Sequence, residues 1–189
     1  KVMIFKRRNS SSDWIVYHNK PGATKYLSLN STGAASAYEP YFANTEPTSS
    51  VFTVDTAGDI NGSSDTFIAY CFAEKKGYSS FGSYTGNGNA DGTFVYTGFK
   101  PAWVMSKRSD SSDGWRMRDA KRDIDNPAQH RLLANATDTE VVASSQDTDF
   151  LSNGFKIRNT DSGYNGSGAT YIYLAFASDP FVNSNGVPV

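Results

Sequence analysis

The sequence predicts an all-β protein built from two tandem antiparallel β-sandwich units, the first of which lacks its opening strands. Three observations lead to this prediction. Blocks of sequence recur in the same order about a hundred residues apart, short runs alternate apolar and polar residues, and stretches rich in Gly, Asn, Asp and Ser separate those runs. The composition agrees, because aromatic residues reach 14% while hydrophobic residues make up only 38%, as in sheets joined by long polar turns.

The repeat consists of four blocks that keep their order, which chance matches in a biased composition would not do. We therefore assign residues 1–76 to the first unit and residues 77–189 to the second. The paired blocks are residues 6–14 with 107–115, 27–30 with 132–135, 52–54 with 155–157, and 61–73 with 165–177.

The second copy also has a lead-in. Residues 78–101 precede its first shared block, whereas nothing equivalent precedes Val2. The first unit is therefore expected to be incomplete at its N-terminus, either because the chain begins late or because another segment supplies the strands. Since an uncovered sheet edge promotes aggregation, we expect something to cover it.

Alternation along the strands indicates which residues share a face. In residues 115–118 the tryptophan and methionine should face the core while two arginines face water, and residues 155–158 repeat this pattern. Residues 66–73 and 170–177 are apolar on both faces, so both are predicted to be central strands. Cys71 lies in the first of these and aligns with an alanine, which predicts a small buried hydrophobic residue.

Charge and cysteine usage exclude several classes of protein. The 18 basic and 19 acidic residues leave a net charge of -1, so neither nucleic acid nor a membrane surface is an expected partner. No apolar run approaches the roughly 20 residues that cross a bilayer, which predicts no membrane insertion. One cysteine excludes an internal disulfide framework and a cysteine-rich zinc site, and no cofactor is predicted.

Residues 119–133 should hold at most one short helical turn.

The sequence gives no sound reason to predict an enzyme. His18 and His130 occupy non-equivalent places in the two copies, and a catalytic triad assembled from the abundant Ser and Asp residues would carry little weight. A pair of acids could support glycoside cleavage. The densest acids, however, interleave with basic residues and favour a surface ion-pair network: Asp119, Lys121, Arg122, Asp123 and Asp125.

Residues 87–92 place side-chain oxygens at alternate positions, as at the start of a calcium loop. An EF-hand loop beginning at Asn87 would need Glu at its twelfth position, where Gly98 stands. A tight strand connection built from residues that tolerate positive φ is therefore the favoured interpretation, and no metal site is predicted.

Aromatic side chains supply the remaining candidates for ligand contact. Trp14 and Trp115 could stack on a sugar ring, but their alternation with polar residues favours core anchors. Rings in the Gly/Ser-rich junction between the copies are better candidates for exposure, although ordinary packing between the units explains them equally well. The speculative ligand-binding set is Tyr78, Phe81, Tyr84, Asn87, Asn89 and Asp91.

The second copy resembles a repeat family of bacteriophage tail-fibre and other virion-surface proteins, especially those of marine phages. In the first copy the match is partial, because residues 21–22 and 38–47 depart from it. The resemblance implies sandwiches of the jelly-roll or concanavalin type, similar also to SPRY domains. The matching residues are 82–88, 97–105, 107–108, 115, 119, 121–122, 150–156, 171–177 and 179–188.

This resemblance implies a non-catalytic structural protein of the virion surface: a tail fibre, a spike or a capsid decoration. Its expected partners are other virion proteins, further copies of the chain, most simply in a trimer, and a glycan of the host surface. The alternative is a secreted or cell-surface bacterial module that binds carbohydrate like a lectin. A hydrolase ranks below both interpretations.

Overall fold

In a computed structural model, which describes residues 1–180, the chain is all-β, with 38% strand and 8% helix in several antiparallel sheets. It divides into two compact units, Lys1–Ala73 and Glu74–Val189. The end of the phage-like match, residues 181–188, lies outside the described residues. Within residues 1–180, no helix has the length and apolar character needed to span a bilayer.

The first unit contains one five-stranded antiparallel sheet and two one-turn helices, α1 (Glu39–Phe42) and α2 (Gly58–Asn61). Its strands are β1 (Val2–Arg7), β2 (Ile15–His18), β3 (Lys25–Ser28), β4 (Ser36–Ala37) and β5 (Phe67–Phe72). They are ordered β4-β3-β2-β1-β5 across the sheet. Both helices pack on one face of the sheet, where apolar residues from strands and helices form the core: Met3, Phe5, Ile15, Tyr17, Tyr41, Phe42 and Ile60.

In its described residues, 74–180, the second unit has two antiparallel sheets that enclose its core. The larger contains β6 (Ser79–Thr85), β8 (Pro101–Arg108), β9 (Arg116–Asp119), β10 (His130–Leu133), β11 (Val141–Val142) and β14 (Thr170–Ala177), in the order β11-β10-β9-β8-β14-β6. The smaller contains β7 (Phe94–Tyr96), β12 (Thr148–Leu151) and β13 (Gly154–Ile157), in the order β12-β13-β7. The described part of this unit also contains a 3₁₀ turn (Ser144–Gln146) and the one-turn helix α3 (Ser162–Asn165).

Three of the four pairs of aligned blocks occupy the same places in the two units, whereas residues 52–54 form no strand and residues 155–157 lie in β13. The order β4-β3-β2-β1-β5 of the first sheet matches β11-β10-β9-β8-β14 of the second, which adds β6 at its edge. One contact repeats in detail: the backbone N–H of Trp14 donates to Asn30 Oδ1 at 2.9 Å, and that of Trp115 donates to Asn135 Oδ1 at 2.7 Å. The sequence repeat therefore corresponds to a repeat of strand order and of local hydrogen bonding.

Of the two strands expected to be central, only the second is. β14 lies between β8 and β6, as predicted. β5 instead ends its sheet, so the prediction for residues 66–73 is wrong, and so is the prediction that Cys71 is buried, because its side chain is exposed. The reason is physical: β6 covers β14, whereas no strand of the described chain takes the corresponding place beside β5.

The arginine face of β9 is also not in water, contrary to the prediction. Arg116 and Arg118 are 9% and 2% exposed, and each guanidinium lies about 5 Å from the centre of the Tyr164 ring. Asp113 pairs with Arg116 at 2.6 Å, which neutralises one of the two charges. Gly163 leaves room for this guanidinium, because a Cβ at that position would overlap it. Burial raises the pKa of the Tyr164 phenol, so the ring stays neutral between the two cations.

The predicted alternation of residues 155–157 is confirmed, whereas Met117, which the alternation predicts to face the core, is only partly buried. Phe155 and Ile157 are buried while Lys156 between them is partly exposed, as the alternation indicates. Trp115 is fully buried, whereas Trp14 is half-buried and stacks on Tyr70 with ring centres 6.5 Å apart. Among the described residues, the stretch from 119 to 133 contains no helix.

The two aligned tryptophans should therefore differ in their contribution to stability. Trp115→Ala is expected to lower the free energy of unfolding of its unit by about 3–5 kcal/mol, because it empties a fully buried site. Trp14→Ala should cost about 1–2 kcal/mol, because its ring keeps part of its surface in water. Amide hydrogen exchange in increasing urea, followed separately for each unit, measures both losses; equal losses would contradict the different burial.

Candidate functional site

The second unit presents two aromatic rings to solvent from one short strand. β7 alternates, so that Val95 is buried at 5% exposure while Phe94 and Tyr96 are 42% and 67% exposed. The two rings lie on the same face because residues two apart in a strand point the same way. Since β7 is the last strand of its sheet, this face of rings stands at a sheet edge.

The neighbouring strand shapes the floor beneath these rings. Across the pair of strands, Phe94 is opposite Lys156 and Tyr96 is opposite Gly154. A Cβ on Gly154 would lie 3.0 Å from the Phe94 ring and would collide with the carbonyl of Val95. The bare glycine therefore lets the Phe94 ring lie against the sheet, with its other side open to solvent.

A polar loop, residues 87–92, precedes β7 and is joined through Asp91 to Lys156, the residue opposite Phe94. The side chains of Asn87 and Asn89 each accept a hydrogen bond at 2.9 Å from a backbone N–H two residues later. Asn165, fully buried in α3, holds the loop from below: its Nδ2 donates to Asn87 Oδ1 at 2.9 Å and to the Asn89 carbonyl at 2.7 Å. Its Oδ1 accepts from the Asn87 backbone N–H. The loop is therefore fixed although its side chains are exposed.

Ion pairs connect the loop to the strand face. The Asp91 carboxylate lies 2.7 Å from Lys156 Nζ and 3.3 Å from Arg158 Nη1, and Arg158 also contacts Asp149 at 2.9 Å. The hydrogen bond from Lys156 lowers the pKa of Asp91 below its ordinary value, so this carboxylate is ionised at neutral pH. We call this surface the β7 face and define it as Asn87, Asn89, Asp91, Phe94, Tyr96 and Lys156.

The loop geometry supports the turn interpretation of residues 87–92 over the calcium interpretation. The oxygens of Asn87 and Asn89 point to amide hydrogens, and the carboxylate of Asp91 points to Lys156. Within the described residues, no group of three His, Cys, Asp or Glu side chains is placed to hold a metal ion.

Three predicted contact residues lie elsewhere. Phe81 and Tyr84 are 2% and 6% exposed, and Tyr84 stacks on Tyr171 with ring centres 4.9 Å apart. Tyr78 is half-buried, and its ring is nearly perpendicular to that of Phe176, with ring centres 6.3 Å apart. These three rings pack against aromatic residues of β14 in their own unit, and only the loop residues of the predicted set lie on the β7 face.

The rings that sequence reasoning missed had a readable signal. Residues 93–97 alternate Thr, Phe, Val, Tyr and Thr, which places Phe94 and Tyr96 on one face and Val95 on the other. The small valine is the residue that fits in the core, and threonines flank the two aromatic residues. This pattern indicates a strand whose rings face outward.

The acidic cluster has the character of an ion-pair network. Asp119 pairs with Arg122 at 2.5 Å, and Arg122 also reaches Glu140 at 2.8 Å. Asp123 contacts His130 Nδ1 at 2.7 Å, and it also accepts hydrogen bonds from the backbone N–H groups of Gln129 and His130. The hydrogen bond to Asp123 raises the pKa of His130. These contacts secure the connection between β9 and β10.

The fold and the β7 face define a class: an all-β protein with an open aromatic surface beside a fixed polar loop. Comparison of the sequence with protein families then identifies the group. The chain belongs to the family described as a domain of unknown function, DUF7483, which matches residues 1–180. Neither the curated proteins nor the solved structures include one that matches the chain.

The role of Asn165 can be tested against its aligned residue in the first copy. Asn165→Ala should lower the free energy of unfolding of the second unit by about 2–4 kcal/mol, because it leaves several buried polar groups without partners. Asn61→Ala should cost less than about 1 kcal/mol, because Asn61 is exposed and its amide donates to the Asp55 carbonyl.

Amide hydrogen exchange provides the measurement for this pair of variants. Exchange in residues 87–91 should accelerate in the Asn165 variant and stay unchanged in the Asn61 variant. Unchanged protection of the loop in both would show that Asn165 does not hold it.

Proposed function

We propose that the chain is a non-catalytic structural protein of a bacteriophage virion, as a tail fibre, a spike or a capsid decoration, and that its second unit contacts a glycan of the host surface. The observation that carries the glycan contact is the exposure of Phe94 and Tyr96 on one face of a sheet edge. The resemblance of the second copy to virion-surface repeats supports the location on a phage particle.

The chemistry of the β7 face suits a sugar. A pyranose ring presents a patch of C–H groups that packs on an aromatic ring, while its hydroxyls need polar partners at the rim. Tyr96 offers the more exposed ring and Phe94 offers a ring supported by the sheet. The exposed amide of Asn89 and the Asp91–Lys156 pair supply donors and acceptors on the same face, while Asn87 holds the shape of the loop through its own hydrogen bonds.

The rigidity of this face favours recognition. The loop is held by Asn165 and the rings are carried by a strand, so little conformational entropy is lost when a ligand docks. Loops and edges on a rigid sheet are the usual place for such contacts.

At the level of fold, we propose that the second unit is a sandwich of the jelly-roll or concanavalin type and that the first unit is an incomplete copy of the same sandwich. The support is the shared strand order of the two larger sheets, together with the second small sheet that covers the core of the second unit. Assembly into a trimer and contact with other virion proteins are the corresponding proposals for partners.

The alternative function is a secreted or cell-surface bacterial module that binds carbohydrate like a lectin. The β7 face supports this alternative equally, because an exposed aromatic surface indicates a ligand and does not indicate whether the protein is on a virion or on a cell. Electron microscopy and mass spectrometry of purified phage particles separate the two: the chain in stoichiometric amounts on a symmetric particle supports the virion protein, and its absence from particles supports the lectin.

The glycan contact is tested with an array of bacterial envelope glycans and the intact chain. Tyr96→Ala should weaken binding by at least about tenfold, and Phe94→Ala by a similar factor, because exposed rings at the centre of a contact carry most of its free energy. Ile124→Ala serves as the matched control, since Ile124 is 82% exposed on the same unit but lies outside the β7 face.

Two results would contradict the proposal. One is full retention of glycan binding in the double variant of Phe94 and Tyr96. The other is absence of binding to every envelope glycan by the unaltered chain, which would leave a purely structural role.

A further inference from the structure

The first unit ends in an apolar strand that is open to solvent. Among the described strands, β5 is the edge strand of its sheet. Ile68 and Tyr70 are 37% and 45% exposed, and Ala69 and Cys71 are also exposed. The aligned positions of β14 are buried from Tyr171 to Ala175. A long apolar edge strand presents a row of backbone groups that favours pairing with a further strand.

The second unit shows which strand fits at such an edge. There β6 runs antiparallel to β14, with Ser80 opposite Ala175, Gly82 opposite Tyr173 and Tyr84 opposite Tyr171. Because β14 and β5 are aligned copies with the same neighbour on their inner side, the outer side of β5 has the geometry that accepts a strand of the β6 type.

A second open place supports the same conclusion independently. Val51 and Phe52 are 63% and 40% exposed, whereas Phe155, which aligns with Phe52, is 1% exposed where β13 pairs with β7. In the second unit, therefore, β6 and β7 cover the two places that are open in the first. A groove of about 270 Å³ is lined by residues from both open segments, including Val51, Phe52 and Cys71.

We propose that β5 and residues 51–55 of the first unit form a docking site for an extended segment of a partner polypeptide with the strand pattern of residues 79–96. One strand of that segment adds antiparallel to β5 through main-chain hydrogen bonds, and a second strand covers Phe52. This site lies in the first unit and is separate from the glycan contact proposed for the β7 face.

The edge also specifies how the partner differs from β6. Gly82 is required in β6 because a Cβ there would lie 2.8 Å from the Tyr173 ring. In the first unit, Ala69 takes the place of Tyr173, so the space filled by that ring is free. The partner strand therefore carries a side chain larger than glycine opposite Ala69.

The chain contains its own reporter for this docking. Cys71 is the only cysteine, and its side chain is exposed on β5. The aligned residue Ala175, which lies opposite Ser80 of β6, is fully buried. Docking of a strand should therefore shield the Cys71 thiol from a disulfide reagent such as dithiobisnitrobenzoate.

The experiment adds a copy of residues 78–101 ahead of Lys1 of the full chain. Lys1 aligns with Ala102, so this junction reproduces the natural entry into β8, and the tether provides a high effective concentration. The thiol of Cys71 should react at least about tenfold more slowly, since reaction then requires the strand to open, and amide exchange in β5 should slow with it. The free peptide of residues 78–101, added to the unaltered chain, should act in the same direction at high concentration.

A Gly82→Val version of the added segment tests the specificity. It should protect Cys71 more strongly than the original sequence, because the valine fills the space above Ala69. A tethered segment of scrambled sequence is the matched control and should leave the thiol reactive. Circular dichroism checks that each extended chain is folded. If a tethered chain does not fold, protection of Cys71 by the free peptide in the unaltered chain tests the proposal instead.

Equal thiol reactivity in the tethered, scrambled and unaltered chains would overturn the proposal. Protection of Cys71 in the unaltered chain that increases with its concentration would also overturn it, because a second copy would then be the occupant. Neither result affects glycan binding through Tyr96, so failure of this proposal is distinguishable from failure of the proposed function.

Discussion

Hydrogen bonding along both edges of β14 is the interaction on which the second unit depends. β14 pairs with β8 on one side and β6 on the other, and this double pairing directs Tyr171, Tyr173 and Ala175 into the core between the sheets. The Tyr173 ring in turn requires Gly82 beside it. Strand pairing and core packing are thus one constraint: the ring can occupy its place only because the partner strand has no side chain there.

The internal repeat made the frame of strands predictable, but not the environment of each face. Alternation shows which residues share a face; it does not show which face is wet. Arg116 and Arg118 share a face as predicted, yet that face is dry, because the Tyr164 ring and Asp113 compensate the buried charge. Apolar character on both faces likewise shows that β5 could be buried, and leaves open whether a partner strand is present.

The candidate site was predictable in its polar half and missed in its aromatic half. A loop of alternating Asn and Asp residues is visible in the sequence, because such side chains bond to their own backbone two residues on. Tyr84 lies in a stretch of Gly and Ser that resembles a loop, but the glycine there serves close packing inside a strand. The exposed rings, Phe94 and Tyr96, follow an ordinary strand alternation whose orientation depends on one buried residue, Val95.

Duplication has allowed the two copies to keep a common frame while their surfaces diverge. Both copies have an asparagine as the last residue of a one-turn helix, Asn61 in the first and Asn165 in the second. Only Asn165 is buried, and it contacts the lead-in of its unit. The same lead-in supplies the strand beside β14 and the strand that carries the exposed rings. Its presence therefore covers the edge of β14 and builds the β7 face at once, so edge closure and the proposed ligand contact depend on a single segment. Beside β5 no such segment pairs among the described residues, and the frame persists there with the edge at which we propose that a partner strand docks.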